Sequence, residues 1–476
     1  MEGTFGVDVT AWSKDLRLCA DGEGIVAWAG AVPVRMLADR TGLTGGLSAV
    51  LARRGFDPLH DRGRVLADVA VAIACGARDI VDIEALRAQA QVFGPVASDT
   101  TARRALAETG GRARAAIGRV RAAARAHVWQ LLPDGLPEAR FAGGMSQAGM
   151  VVLRIDGSLV VSHSKKERAA PTFKKTYGHH PLGCWIDNTG ELASLLLRAG
   201  NAGSNTSDDL IAVLHEAIAQ VPKRWRRRLL ITSDGAGASH SLIDWAHRQN
   251  HAADRTVEYS IGFDVDADVR AAIGRLPADR WRPGLDNITG ALRQDIDVAE
   301  ITDLLSERLR RTGWPKTMRV IVRRTRLAPG EQPTLFHADG YKYSCFVTNT
   351  GPGLSVQLLD ARHRAHARVE DGVRTGKDTG LGHLPSKSWT VNLAWCHAVT
   401  IAVDLLVWLK LLGCPDILTL AKAEPATLRY RLLHVPARLV HHARIRWLRL
   451  PATWPWATAL AQAFDRVRAL PQPKPD

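Results

Sequence analysis

The chain has 476 residues, 46% hydrophobic and 23% charged, values that exclude a mainly disordered protein. At roughly 150 residues per domain, this length implies two to four domains and a sizeable core. Lys and Arg number 63 against 48 Asp and Glu, a formal charge of +15 that favours a polyanionic partner, most simply nucleic acid.

Residues 1 to about 140 read as mostly helical. Leu66, Val69, Ala70, Ile73 and Ala74 follow helical spacing, as do Ile83, Leu86 and Ala90 over a shorter stretch. Thr101 to His127 is an Ala/Arg-rich helical stretch, with Ser98-Asp99-Thr100 placed to cap it. Gly and Pro punctuation rises from Leu132 to Gly149. The texture then changes. Met150 to Ser162, Tyr177 to Asp187, Glu191 to Arg198 and Arg228 to Asp234 read as strands. Asp208 to Gln220 and Ser241 to Arg248 read as helices, and this order predicts a mixed α/β sheet. Farther on, Val298 to Arg311 reads as a helix, and Met318 to Arg326 and Tyr341 to Thr348 as strands. Pro471 to Asp476 is a Pro-rich tail, expected to fray.

Two segments bear on membranes. Ile25 to Val34 is too short to span a bilayer. Ala394 to Leu412 holds His397, Asp404 and Lys410 and reads as a buried helix of a soluble protein. Glu2, Asp8, Lys14 and Asp15 stand where a signal peptide would be basic and then apolar, so a cytoplasmic, nucleoid-associated location is expected. Cys19, Cys75, Cys184, Cys345, Cys396 and Cys414 form no CxxC pair, which excludes a zinc ribbon and fits free thiols in a reducing compartment.

The chemistry gathers on acids. Asp156 and Asp234 each close an apolar strand segment and each precede a glycine. If the strands are neighbours the carboxylates converge, and two close carboxylates repel unless a divalent cation neutralises them. Taken singly, each Asp-Gly is also common turn chemistry. A phosphatase reading of the haloacid-dehalogenase kind fails, because its nucleophilic Asp falls on Arg154.

A third acid comes from Asp360 to Gly380. Plotted as one helix, His363, His366, Glu370, Arg374 and Lys377 share a face. One acid among several bases suits a metal and a phosphate together, with the carboxylate on the metal and the cations on a nucleic-acid backbone. Arg438, Arg444, Arg446 and Arg449 lie in a run free of acids from Ala426 to Phe464, a candidate phosphate-contacting patch. Arg444 and Arg446 alternate as on a strand.

Taken in order, these pieces resemble a known family, the DDE transposases of bacterial insertion sequences, with the insertion-sequence 1380 family, related to the insertion-sequence 4 group, as the nearest match. The resemblance rests on Ile155-Asp156-Gly157-Ser158 followed by His163, then Tyr177-Gly178-His179-His180-Pro181-Leu182 and Leu197-Arg198-Ala199-Gly200-Asn201. Thr232-Ser233-Asp234-Gly235-Ala236, Val257-Glu258-Tyr259, Glu370 and Asn392-Leu393-Ala394-Trp395 continue it. The related group carries a signature of Tyr, Arg, Glu and Lys. Its Glu and Lys match Glu370 and Lys377, while His363 and His366 stand in place of its Tyr and Arg.

The resemblance implies an RNase H-like α/β core whose catalytic, metal-holding residues are Asp156, Asp234 and Glu370. It implies an N-terminal helical end-binding domain over 1–140 and core segments over 150–259 and 356–420. A β-rich insertion over 260–355 would precede the catalytic helix, and a basic C-terminal region would cover 421–476. The implied cofactor is Mg²⁺, two ions per site, with Mn²⁺ as a substitute. The implied partner is double-stranded DNA, element ends and target, held by a homodimer with no membrane involved. His363, His366, Arg374, Lys377, Arg438, Arg444, Arg446 and Arg449 are the expected DNA contacts. Two alternatives stay open: an RNase H-like nuclease or resolvase without strand transfer, and an inactive DNA-binding derivative.

Overall fold

The computed structural model describes residues 16–162, 165–203, 206–234, 238–251, 254–327 and 337–473. His163, Gly235, Ala236 and the end of the Pro471 to Asp476 tail lie outside the described residues.

The N-terminal part is helical, with α1 Ala31–Arg40, α2 Leu43–Leu51, α3 Arg62–Ala74, α4 Asp99–Ala107 and α5 Gly111–Gln130. Ser98 caps α4, its hydroxyl accepting the Thr101 N–H at 3.4 Å. The single helix expected from Thr101 to His127 is instead two. It breaks at Thr109-Gly110, where the Thr109 hydroxyl bonds back to the Ala105 carbonyl at 2.9 Å.

Next come β1 Val151–Gly157, β2 Leu182–Ile186, β3 Glu191–Leu196, α6 Ser207–Gln220, β4 Arg228–Ser233, α7 His240–Arg248 and β5 Thr256–Phe263. Pro181 ends the short strand Tyr177–His179 before β2 begins, since proline supplies no N–H to a ladder. Four strands follow: β6 Arg282–Leu285, β7 Leu292–Glu300, β8 Arg319–Arg326 and β9 Tyr341–Thr348. The helix expected over Val298 to Arg311 is corrected. Ile296 and Val298 alternate inward on β7, and helix resumes only at Ser306–Arg311.

All nine lie in a ten-stranded sheet in the order β6-β7-β8-β9-β5-β4-β1-β2-β3, with His337–Ala338 paired to β9. The pairs β1·β4 and β4·β5 are parallel, and the rest of the path is antiparallel. The fold is thus mixed α/β, as the strand and helix texture predicted. Residues 282–348 are β-rich, but their strands prolong the central sheet outward from β5 rather than forming a separate layer.

The chain then forms α8 Val356–Arg364, a 3₁₀ turn Ala365–Arg368, α9 Val369–Gly376, a π turn Lys377–Leu381 and α10 Trp389–Trp408. It closes with the hairpin β10 Ala437–His442 and β11 Ile445–Arg449, then α11 Ala457–Ala469. One continuous apolar cluster runs from Ala31 through the sheet to Val467, so the N-terminal helices share the core of the sheet.

α10, with the π turn Leu409–Gly413, is long and apolar enough to cross a membrane, but most of it is buried inside the protein. Its one acid explains how it is held. Asp404 Oδ2 accepts from Arg121 at 2.9 Å and from Arg125 at 2.6 Å, both on α5. Arg125 also donates to Glu191 of β3 at 2.8 Å, and the indoles of Trp129 and Trp408 complete the Glu191 carboxylate at 2.8 and 2.7 Å. Two cations and two anions cancel in a buried site where every charge needs a partner. This network bolts α5 and α10 to β3.

A second clasp joins the chain's distant parts. Arg429 donates to the Ala74 carbonyl at 3.0 Å and His434 Nε2 meets the Cys75 carbonyl at 2.6 Å, which satisfies the last carbonyls of α3. Ile25–Val26 pairs antiparallel with β10, Ile25 opposite Arg438.

Candidate active site

The site begins with a strand register. β1 and β4 run parallel with Arg154 beside Thr232 and Ile155 beside Ser233. One more step along both strands sets Asp156 beside Asp234, on neighbouring strands about 4.8 Å apart. Parallel strands in register send both side chains to one face. Asp156 Oδ1 accepts the Gly157 N–H at 2.7 Å, which aims the carboxyl along the strand end.

The row beneath is polar and mostly buried. Arg154 donates both ways to Asp187, Nε at 2.7 Å and Nη2 at 2.9 Å, and contacts the Thr232 hydroxyl at 3.4 Å. His366 Nδ1 meets that hydroxyl at 2.9 Å, and His363 Nδ1 meets the Ser260 hydroxyl at 2.9 Å. The His363 ring stacks on Phe346 at 4.3 Å with 6° between planes. These contacts fasten α8 and the following turn across β4 and β5.

This corrects the expectation that His363 and His366 face DNA. Both are buried. Burial first, then the nearby positive charge of Arg364, drives the His363 ring well below its ordinary pKa. Burial and then Arg154 push the His366 ring down to about 3. Two neutral imidazoles on the sheet cannot hold phosphates. The shared face drawn from Asp360 to Gly380 fails because a 3₁₀ turn and a π turn interrupt the helix.

Glu370 opens α9 and is exposed. Trp185 of β2, cross-strand to Arg154, sets the height of this helix over the sheet. Its indole lies between two glycines: a Cβ on Gly183 would stand 2.6 Å from it, and a Cβ on Gly372 would stand 2.8 Å from it. By propensity alone Gly372 weakens the case for a helix. Here it lets the helix approach the indole.

Electrostatics tie the three acids together. Burial, then Asp234, then Glu370 push the Asp156 carboxyl up to about 6, with the Gly157 N–H and Lys174 opposing. The Asp234 carboxyl is also raised, by desolvation at the strand mouth and then by Glu370, although it is more open to solvent than Asp156. Among the described residues no three His, Cys, Asp or Glu side chains stand as a ready-made ligand set. The donors nonetheless fit a hard divalent cation, because all are carboxylate oxygens, the ligands such ions prefer.

The remaining expected contacts lie elsewhere. Arg374 pairs with Asp371 at 2.6 Å and Glu424 at 2.9 Å, and Lys377 is exposed. On the C-terminal hairpin Arg438 sits directly opposite Arg449, and Val440 opposite Trp447. Arg446 reaches the Gln91 carbonyl at 3.3 Å. Arg444 does not alternate with Arg446 on a strand. It sits in the two-residue turn with φ +65°, after Ala443 with φ +48°.

Reading the sequence missed Arg154, Asp187, Thr232 and Trp185 as supports of the acids. The one available signal was the even spacing of Arg154 before Asp156 and of Thr232 before Asp234.

Comparison with known proteins gives the chain a family. Among curated proteins none matches the chain. A cryo-EM structure of the piggyBac transposase synaptic complex with hairpin DNA aligns with a TM-score of 0.41 at 9% identity, covering 85% of this chain and 79% of that one. The family model described as transposase DDE domain group 1 matches residues 10–472, nearly the whole chain. The protein therefore belongs to the DDE transposases of that group.

Proposed function

We propose that this transposase binds the terminal inverted repeats of its own insertion sequence, of the insertion-sequence 1380 kind, and cuts and joins DNA at Asp156, Asp234 and Glu370. The observation that carries the reading is that Asp156 and Asp234 lie at the same end of two adjacent parallel strands, with Glu370 on the neighbouring helix close enough for its charge to raise both carboxyls. The order β3-β2-β1-β4-β5, with β1, β4 and β5 parallel, supports an RNase H-like core.

In this reading Asp156, Asp234 and Glu370 hold two divalent cations, Mg²⁺ or Mn²⁺. When bound, such ions activate the attacking oxygen and stabilise the leaving oxygen of an in-line displacement. Asp156 supplies its carboxylate from the end of β1 and Asp234 supplies the second from just past the end of β4. Glu370 supplies the third from a helix held by Trp185, His363 and His366. Water attacks the phosphodiester at the element end and displaces its 3′-oxygen as a hydroxyl; that hydroxyl then attacks a target phosphodiester, forming the new P–O bond as the target strand's own 3′-oxygen leaves. Arg374, Lys377, Arg438, Arg444, Arg446 and Arg449 are the proposed phosphate contacts, in a homodimer that pairs two ends in the cytoplasm. The inactive-derivative reading draws on His363 and His366, and their buried structural contacts remove that motive.

The test uses a labelled inverted-repeat end taken from the DNA flanking the gene. Asp156→Asn, Asp234→Asn and Glu370→Gln should each abolish Mg²⁺-dependent cleavage and keep end binding. A variant with near-normal cleavage removes that residue from the centre. Cleavage indifferent to the repeat, with no strand joining, would favour the nuclease.

A further inference from the structure

Between β1 and β2 the chain builds a small sheet from Val160–Val161, Tyr177–His179 and Ala170–Pro171, in that order. A tight turn joins the last two strands. The Thr172 N–H donates to the Thr176 carbonyl at 2.7 Å, and the two threonine hydroxyls meet at 2.7 Å. Lys175 completes the turn at φ +58°. Pinned at its base, the turn presents Phe173 to solvent with 68% of its surface open.

The Phe173 ring has a buried aromatic neighbour. It lies 5.3 Å from the His180 ring, with Lys174 Nζ 5.8 Å from its centroid. His180 is buried, and the carbonyl of the next residue, Pro181, accepts the Ser158 N–H at 2.8 Å. Ser158 follows Asp156-Gly157 directly. A short path of contacts thus runs from Phe173 through His180 and Pro181 to the strand end that carries Asp156. The charge of Lys174 also reaches the Asp156 carboxyl.

The local charge is one-sided. From Ser158 to Ile186 the cations are Lys165, Lys166, Arg168, Lys174 and Lys175, and Glu167 is the sole acid before Ile186. Glu167 is already engaged, its Oε2 accepting the Trp389 N–H at 2.6 Å. Lys166 donates to the Leu384 carbonyl. Lys174 and Lys175 make no ion pair among the described residues.

An exposed aromatic face beside two ammonium groups without an ion pair has two demands. The ring favours a flat, weakly polar partner, and the lysines favour an anion. A duplex answers the second only, because its bases stack on one another. A nucleotide with its base unstacked answers both, and base–aromatic stacking tolerates any base.

We propose that the Phe173–Lys175 turn holds an unpaired nucleotide of the DNA strand entering the acidic centre, Phe173 stacking on the base and Lys174 and Lys175 on the flanking phosphates. The proposal rests on reading the acids as a DNA-cleaving centre. Phe173 acts here as a positioning residue.

The test is binding without metal, so that nothing is cut. The full chain is titrated against fluorescent single-stranded dT20 and against a 20-base-pair duplex, in EDTA. Phe173→Ala should weaken dT20 binding about tenfold, the size of one stacked base, and change duplex binding less than about twofold. Phe173→Trp should keep dT20 binding. Phe173→Ala with unchanged dT20 affinity overturns the proposal, as does an equal loss on both probes. A shift of the alanine variant from dimer to monomer on sizing also overturns it, since the ring would then be a self-association contact. Asp156→Asn tests the underlying reading separately. If that variant cleaves DNA with Mg²⁺ like the parent, the cleavage centre is misplaced, whatever the Phe173 result.

Discussion

The His366 imidazole and the Thr232 hydroxyl meet at 2.9 Å, and this bond spans the two halves of the acidic centre. Thr232 shares the strand that leads into Asp234, and His366 lies in the 3₁₀ turn four residues before Glu370. The relative position of two carboxylates therefore passes through one neutral histidine. His366→Ala should cost about 2 kcal/mol of stability, from the lost bond and the space left behind. It should lower DNA cleavage more than DNA binding. Chemical unfolding and a cleavage assay measure the two, and equal losses would deny the histidine its positioning role.

Gly372 offers a test of opposite sign to helix propensity. Gly to Ala inside an exposed helix ordinarily stabilises by roughly 1 kcal/mol. Here the added Cβ would stand 2.8 Å from the Trp185 indole. Gly372→Ala should therefore destabilise, by about 1–3 kcal/mol. Combining it with Trp185→Phe should recover part of the loss, as a double-mutant cycle reads directly.

The raised Asp156 pKa carries a definite pH sign. Its folded value near 6 lies above the ordinary 3.8, so the ionised carboxylate costs stability above pH 6. That cost fades as pH falls through 6 toward 3.8. In EDTA this group should make the protein more stable at pH 5 than at pH 7.5, by about 1 kcal/mol. Asp156→Asn should flatten that part of the profile. Stabilisation by added Mg²⁺ should weaken below about pH 6, because the proton and the cation compete for one carboxylate. Calorimetric melts across pH, with and without Mg²⁺, decide both points.

The buried network predicts a large loss. Arg125 lies 2.6 Å from Asp404 and 2.8 Å from Glu191 in a site closed to water. Arg125→Met removes one cation, leaving Asp404 to Arg121 alone and Glu191 with neutral donors only. About 3–5 kcal/mol should be lost, seen as a lower midpoint in urea. A change below about 1 kcal/mol would mean that water reaches these charges.

Arg438 and Arg449 face each other across the C-terminal hairpin with no acid nearby in sequence. Like charges directly opposite repel, and a phosphate between them would relieve the repulsion. Replacing both with Ala should flatten the salt dependence of DNA binding, by about 0.9 in log–log slope for each phosphate no longer neutralised. An unchanged slope would return this face to an ordinary solvated surface.

Much of this protein is written locally and much is not. Strands such as Tyr341–Thr348 read true from β-branched and aromatic runs, and the Ser98 cap read true from its hydroxyl. Asp156 and Asp234 stand out because an acid that ends an apolar strand needs a reason. What failed was whatever depended on partners far along the chain. His363 and His366 look like phosphate ligands on a helical wheel, but Thr232, Ser260 and Phe346 claim them from strands the wheel does not contain. Val298 looks helical until β8 supplies its ladder, pairing Val298 with Arg323. Arg444 looks like a strand residue, and only the tightness of its hairpin turns it through a positive φ.

The pairing of Ile25 with Arg438 sets the order in which the chain can mature. The first strand described finds its partner only after more than four hundred residues have been made, so that pairing closes an exceptionally long loop. On the ribosome, Val26 and Ala29 must wait uncovered until Ala437 arrives. A polypeptide cut short between Glu370 and Arg429 would keep the three acids yet leave this apolar patch bare and the end of α3 uncapped. Premature termination should thus yield a sticky, short-lived product rather than a smaller enzyme, and full-length synthesis becomes a condition for DNA chemistry.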